Sequence, residues 1–325
     1  MVIRFFLFLA VTLCVAYTSF AQQEAITSEG QHVILHQDGT WTYKLRPEER
    51  KAITRLEIPR TGVQDKVITH TGYSFVYSEV HEQALWVAYE LTAAETAKAF
   101  DRSDRFQIDP AVSTGTASDP DYAGSGFDRG HLAPAADMSW SERAMEESFY
   151  YSNMSPQTPS FNRGVWKRLE EQVRDWAIAY TSVHVATGPI LRTGLPVIGP
   201  NRVSVPEFYY KVILDYHGSD VKAIGFLMAN QASSSAVKTF ALSVDSVEQV
   251  TGLDFFPSLS DDEEKKLESE VCVSCWSWTG EQTSGEQRSR AEGAFVRCSA
   301  INQSGERCKR TTQSQNGRCY QHGGK

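Results

Sequence analysis

Between Phe127 and Trp176 the chain sets a polar run, FDRGHLAPAADM, ahead of a segment whose apolar residues recur at helical spacing, and this order limits the fold most. Trp166, Leu169, Val173, Trp176 and Ala177 fall three or four residues apart, so a helix opened by Ser160 or Asn162 buries them on one face. Residues 109–126 are rich in Asp, Pro, Ser, Thr and Gly and read as a loop leading into the polar run. Strands are predicted for YSFVYSEV, QALWVAYEL, SVHVATG, FYYKVILDY and VKAIGFLMA, and helices over 139–151 and around Val244 to Thr251. Such an arrangement predicts an α+β fold, a central antiparallel sheet flanked by helices on both sides.

The ends carry smaller signals. Arg4, the apolar run from Phe5 to Tyr17 and Ser19-Phe20-Ala21 follow the order of a secretory signal peptide, so residues 1–21 predict export, to the periplasm or as a secreted protein. The alternative is a membrane anchor, but the run is shorter than the roughly 20 residues that span a bilayer, and no stable span is expected. Residues 22–48 contain HVILHQDGTWTYK, in which Asp38-Gly39 joins two short strands as a β-hairpin appendage. The main domain is expected over 49–270, followed by a linker over 271–296 and a small module over 297–325. Without Arg4 the chain is one unit more negative than its −8, so nucleic-acid affinity cannot come from global charge and needs locally placed Arg and Lys.

Phosphodiester cleavage needs an activated water, a positive centre for the charge building on phosphoryl oxygens, and a proton source for the leaving oxygen. His131 titrates near neutrality and follows Gly130, which allows a close turn of the backbone. Asn162, Trp166, Glu170 and Arg174 are four residues apart, and each such step turns a helix by about 40°, so they share one side. The amide oxygen of Asn162 suits a hard ion that keeps most of its waters, and Glu170 suits orienting one of those waters. The same residues also fit an ordinary surface helix, with Asn162 as a cap and the charges solvated.

FDRGHLAP, SNMSPQ and FNRGVWKRLEEQVRDW resemble the motifs of the DNA/RNA non-specific endonucleases of the ββα-metal group. VATGPI, VPEFYYKVI, FLMANQ and TGLDFFP resemble that family's later segments in the same order, from roughly Gly72 to Pro257. The resemblance implies that His131 is the general base, that Asn162 is the sole protein ligand of Mg²⁺ (or Mn²⁺), and that Glu170 works through water on the metal. It implies that Arg174 faces the phosphate, that Arg129 belongs to the site, and that Asn153 supports its geometry. A further family arginine precedes a D-P pair, here Asp109-Pro110, and Arg102 is preferred to Arg105 for it. The implied substrates are DNA and RNA, cut with little sequence preference because phosphate contacts carry no base information, to products with 5′-phosphates.

Five cysteines remain without Cys14. Cys298, Cys308, Cys319 and His322 form a Cys₃His set suited to a structural Zn²⁺ and resemble small bacterial C-terminal modules, which leaves Cys272 and Cys275 to pair with each other. A disulfide arrangement of the tail is the alternative that export would favour. Residues 288–325 hold eight Lys or Arg against two Glu, a charge that suits phosphate backbone or simply a solvated tail. Two other readings of function are a catalytically inactive extracellular nucleic-acid-binding protein and a narrower phosphodiesterase. Pure binding requires none of His131, Asn162 and Glu170, so their joint presence argues against the first.

Overall fold

The computed structural model describes residues 55–279, apart from 61, 63, 64 and 219, together with 23–26, 32–35, 41–43, 296–297, 300 and 311–312. The signal-like run over 1–21 and the Cys298, Cys308, Cys319 and His322 set lie outside the described residues. Among the described residues no helix is long and apolar enough to cross a membrane.

At the N-terminus β1 (Gln23–Ile26), β2 (His32–Leu35) and β3 (Trp41–Tyr43) form a three-stranded antiparallel sheet, so the expected hairpin gains a strand before it. The body is built on β4 (Val67–Thr69), β5 (Ser74–Ser78), β6 (Gln83–Thr92), β9 (Ser182–Pro189), β12 (Phe208–Asp215), β13 (Lys222–Ala229) and β14 (Ala241–Leu242). They form one antiparallel sheet in the order β14-β13-β12-β9-β6-β5-β4, with the predicted strands in place. Both faces are covered, which is why the strands read as almost unbroken apolar runs. On β12, Tyr209 and Ile213 enter one core and Tyr210, Val212 and Leu214 the other, as strand alternation requires.

The first core lies under α3 (Lys167–Tyr180), which buries Leu169, Val173 and Trp176 against Tyr89, Val185 and Phe226. The second lies under α4 (Val244–Thr251) and α5 (Asp261–Ser269), through Val244, Val247 and Leu267. The acidic run at Asp261 to Glu264 is thus the first turn of a helix, where carboxylates oppose the positive end of the helix dipole. The expected end of the core at 270 is too early. Trp276 and Trp278 pack on Trp176, and the carbonyl of Ser277 accepts from Trp176 Nε1 and from Gln172 Nε2, so the chain stays docked to Thr279. Within that docked segment Cys272 and Cys275 form a disulfide, the pairing expected from the cysteine arithmetic.

Two elements off the main sheet carry the candidate site. β7 (Asp128–His131) pairs antiparallel with β8 (Met154–Gln157), and the intervening chain holds α2 (Glu142–Glu147), whose N-cap Ser141 accepts from the Ala144 amide. After β8 the chain enters α3 through Pro159–Phe161 and a π-helical turn, Asn162–Trp166.

Candidate active site

The antiparallel pair β7–β8 followed by α3 gives two strands and a helix, with α2 in the connection between the strands, and the DRGH run is strand β7 itself. Gly130 is not at a turn, contrary to the expectation from sequence. A Cβ on it would come within 2.3 Å of the Gln157 side chain, so glycine is needed for the closeness of the strands.

His131 ends β7 with its side chain 9% exposed, edge-on to Phe149 with ring centroids 4.8 Å apart. Its Nε2 has no hydrogen-bond partner, which leaves the backbone hydrogen bond with Arg129 to the other ring nitrogen. Burial, and then the nearby Arg102 cation, push its pKa down from 6.5 to about 3, against the smaller effect of that backbone bond. The ring is therefore neutral at pH 7 with an unpartnered lone pair on Nε2, able to accept a proton but weakened as a base by the same burial.

The surrounding arm is held by Asp109, fully buried, which accepts from Ser152 Oγ and the Ala111 amide and pairs with His70 Nε2 at 2.8 Å. Gln107 exchanges backbone hydrogen bonds with Phe149 and Tyr151, pinning the arm beside the segment that carries Asn153. Arg102 and Arg105 are both exposed, but Arg102 stacks on Phe149 at 4.8 Å, pairs with Asp104 and acts on His131. Arg129 donates to Tyr151 Oη at 3.0 Å and to Asp119 Oδ1 at 2.7 Å and lies over Phe106, which is also beside the His131 ring. Asn153 is buried and spends its amide on backbone: Nδ2 donates to the carbonyls of Ala133 and Ser148, and Oδ1 accepts from the Ala133 amide. It is a positioning residue that fixes the chain just after His131.

Asn162 departs from the regular helical row expected for it. It opens the π turn, in which Gly164 leaves helical geometry (φ −108°, ψ −113°), and α3 is regular only from Lys167. Such turns are frequent at functional sites. Asn162 Nδ2 donates to Asp128 Oδ2 at 2.9 Å, and since a carboxylate only accepts, this bond fixes the amide with Oδ1 free to bind a cation. Arg163 closes the other side of Asp128 with Nε and Nη2 at 2.8 and 2.6 Å. Asp128 and His131 are three residues apart on β7, so Asn162 and the base are tied to points on one strand about 10 Å apart along the backbone.

Glu170 and Arg174 come together about two and three turns after Asn162. Arg174 Nη1 donates to Asp137 Oδ1 at 2.7 Å, and Asp137, fully buried, also accepts from Tyr89 Oη at 2.8 Å. Burial disfavours the Arg174 cation, but Asp137 outweighs it and raises its pKa. Glu170 makes no hydrogen bond to a described side chain. Burial lifts its pKa to about 7, Asp137 adds to the rise, and Lys211 and Arg174 oppose it. Lys211 lies on β12, on the face of Tyr209 and Ile213, fully buried with no partner for Nζ, 4.9 Å over the Trp166 ring. Asp128, Asp137 and Lys211 escape a reading of sequence. The first two are ordinary loop and strand acids by spacing, and Lys211 interrupts an apolar strand with no sign of what it faces.

The donor set fits a hard divalent cation. It offers one amide oxygen held outward, a carboxylate with no protein partner, and buried polar atoms without partners on Gln157 and His131. A two-strand, one-helix unit with a neutral histidine on the strand and an oxygen donor opening the helix defines the ββα-metal class of nucleases. The chain belongs to the DNA/RNA non-specific endonuclease family, whose sequence model matches residues 55–262. Mitochondrial endonuclease G of Homo sapiens is 36% identical over 203 residues, covering 58% of this chain and 68% of its own. The mitochondrial nuclease EXOG of Danio rerio is 33% identical over 69% of this chain and 68% of its own, and nuclease C1 of Cunninghamella echinulata 35% over 63% and 88%. The solved structure of an EndoG/EndoGI complex superposes with a TM-score of 0.60 at 32% identity, over 67% of this chain and 95% of that one. The chain is thus a nuclease, and a nucleic acid is its substrate.

Proposed function

We propose that this chain is an exported endonuclease that hydrolyses DNA and RNA with little sequence preference, using Mg²⁺, with His131 as general base. The observation that carries this reading is the pairing of a neutral, unpartnered His131 Nε2 with an Asn162 amide oxygen freed by Asp128, both anchored to β7. A Mg²⁺ held at Asn162 would supply positive charge to the phosphoryl oxygens and stabilise the leaving oxygen. His131 takes a proton from water as it attacks phosphorus in line. Arg174, clamped by Asp137, and Arg102, stacked on Phe149, meet the charge that develops on the phosphate. Glu170, kept close to ionisation by Lys211, orients water on the side of Asn162. Asn153 and Asp128 position the two principal groups and do not touch substrate.

Export is supported by the charged, apolar and small-residue order of residues 1–21 and by the Cys272–Cys275 disulfide, a bond that persists in oxidising compartments. Zn²⁺ at Cys298, Cys308, Cys319 and His322 remains a proposal from their chemistry alone. The test is degradation of plasmid DNA and of RNA with chelator, with Mg²⁺ restored, and with His131→Ala. Chelation is expected to abolish both activities, Mg²⁺ to restore them, and the variant to lose about 10²–10⁴-fold with its circular dichroism unchanged. Wild-type rates in a folded His131→Ala protein, or full activity in chelator, would overturn the reading.

A further inference from the structure

On the far side of the sheet from α3, two helices bring carboxylates together with no cation among them. α4 carries Asp245 and Glu248, and α5 carries Glu264 and Glu268. Asp245, Glu248 and Glu268 each offer one ligand oxygen, and these oxygens all lie within 4.8 Å of one another. Glu268 is only 6% exposed, and its Oε1 is buried with no hydrogen-bond partner, as is Oε1 of Glu264 beside it. Glu248 already accepts the Phe255 amide at 2.8 Å through Oε1, which holds its carboxylate in place and leaves its second oxygen for another partner. The cation acting on Glu264 is Arg60, and Arg60 is spent in an ion pair with Asp254. A buried carboxyl group with an idle oxygen among other carboxylates must take up a proton, be paired or bind a metal.

We propose that Asp245, Glu248 and Glu268 form a Ca²⁺ site that clamps α5 to α4, separate from the cation site at Asn162. Oxygen ligands on opposite sides of Ca²⁺, each 2.3–2.6 Å away, are about 4.6–5.2 Å apart, a span these carboxylates reach. Mg²⁺ demands a tighter octahedron, keeps most of its waters and takes one or two carboxylates rather than three. All-oxygen donors do not suit Zn²⁺. Of the three ligands, Asp245 and Glu248 lie within the residues matched by the family model and Glu268 beyond them.

The experiment is thermal unfolding of the chelator-treated full chain with CaCl₂ or MgCl₂, in the wild type and in Asn162→Ala, which removes the other candidate cation ligand. Ca²⁺ at about 100 times Kd is expected to raise Tm by about 5–10 °C in both backgrounds. Glu268→Gln should lose that rise while unfolding no lower than the wild type without Ca²⁺, because it replaces a buried carboxyl whose Oε1 has no hydrogen-bond partner with a neutral group of the same shape. Asp245→Asn, at a half-buried position, provides a second variant with the same loss. No rise with Ca²⁺, or an equal rise in Glu268→Gln and Asp245→Asn, would overturn the site. An equal rise with Mg²⁺ in the Asn162→Ala background would overturn the assignment to Ca²⁺.

Discussion

The ring of His131 packs edge-on against Phe149 with Arg102 acting on it, so protonation would add a second positive charge in a largely buried position. Its folded pKa lies near 3 and its ordinary value at 6.5, so the unfolded chain binds more protons between those values. The contribution of this residue to stability is therefore complete above pH 6.5 and is lost as pH falls toward 3. Ring-nitrogen NMR on the metal-free protein should keep His131 neutral at pH 5, and a midpoint at or above 6 would contradict the burial argument. Lys211 supports a second prediction. Its own pKa is lowered to about 8 by burial, with Glu170 pulling the other way, and it is one of the two cations that offset the burial of Glu170. Lys211→Met should raise the Glu170 pKa and thus the Mg²⁺ concentration for half-maximal activity at pH 7, by roughly tenfold for each 1.4 kcal/mol lost. By pH 9 the difference should shrink, since Lys211 is then largely neutral in the wild type as well. A Mg²⁺ requirement unchanged at pH 7 would remove Lys211 from the site.

Helix α3 and the strand pair β7–β8 hold the site because each solves a packing constraint that single residues cannot. Gly130 is the clearest case: the fully buried Gln157 side chain occupies the place a Cβ would take, so Gly130→Ala must displace that side chain. Overpacking of this kind costs about 1–3 kcal/mol, which for a body of this size lowers Tm by about 2–4 °C per kcal/mol. Gly130→Ala combined with Gln157→Ala should recover much of the loss, and a double variant as unstable as the single one would point to another cause. The helix was legible because Trp166, Leu169, Val173 and Trp176 repeat at its period and all enter one core. The π turn at Asn162 was not, because residue spacing assumes an unbroken helix and Gly164 breaks it. Arg102 could not be separated from Arg105 along the chain. What distinguishes them in space is the stacking of Arg102 on Phe149, a contact between segments more than 40 residues apart. Lys211 was hidden for a related reason: alternation assigns it a face of β12 but does not say that Glu170 lies across it.

At the scale of the whole molecule, the substrate is a polyanion and the chain carries a net charge of −8, so binding depends on where the positive charge lies. Within the body the candidate cations are mostly committed: Arg129 to Asp119, Arg163 to Asp128 and Arg174 to Asp137. Those pairs aim the guanidinium groups but cancel most of their long-range field. Residues 288–325 carry eight Lys or Arg against two Glu, and they fall in the second of the chain's two units, Gly280–Lys325. Each phosphate neutralised by the protein steepens the fall of log K with log salt by about 0.9 on duplex DNA. If the tail supplies affinity, a chain ending at Thr279 should bind DNA more weakly at low salt, with a slope shallower by at least ~2. Its rate at saturating substrate should be unchanged, because His131, Asn162, Glu170 and Arg174 all remain. Fluorescence anisotropy across a salt series in chelator measures the slope without cleavage, and equal slopes for the two chains would assign the binding to the body alone.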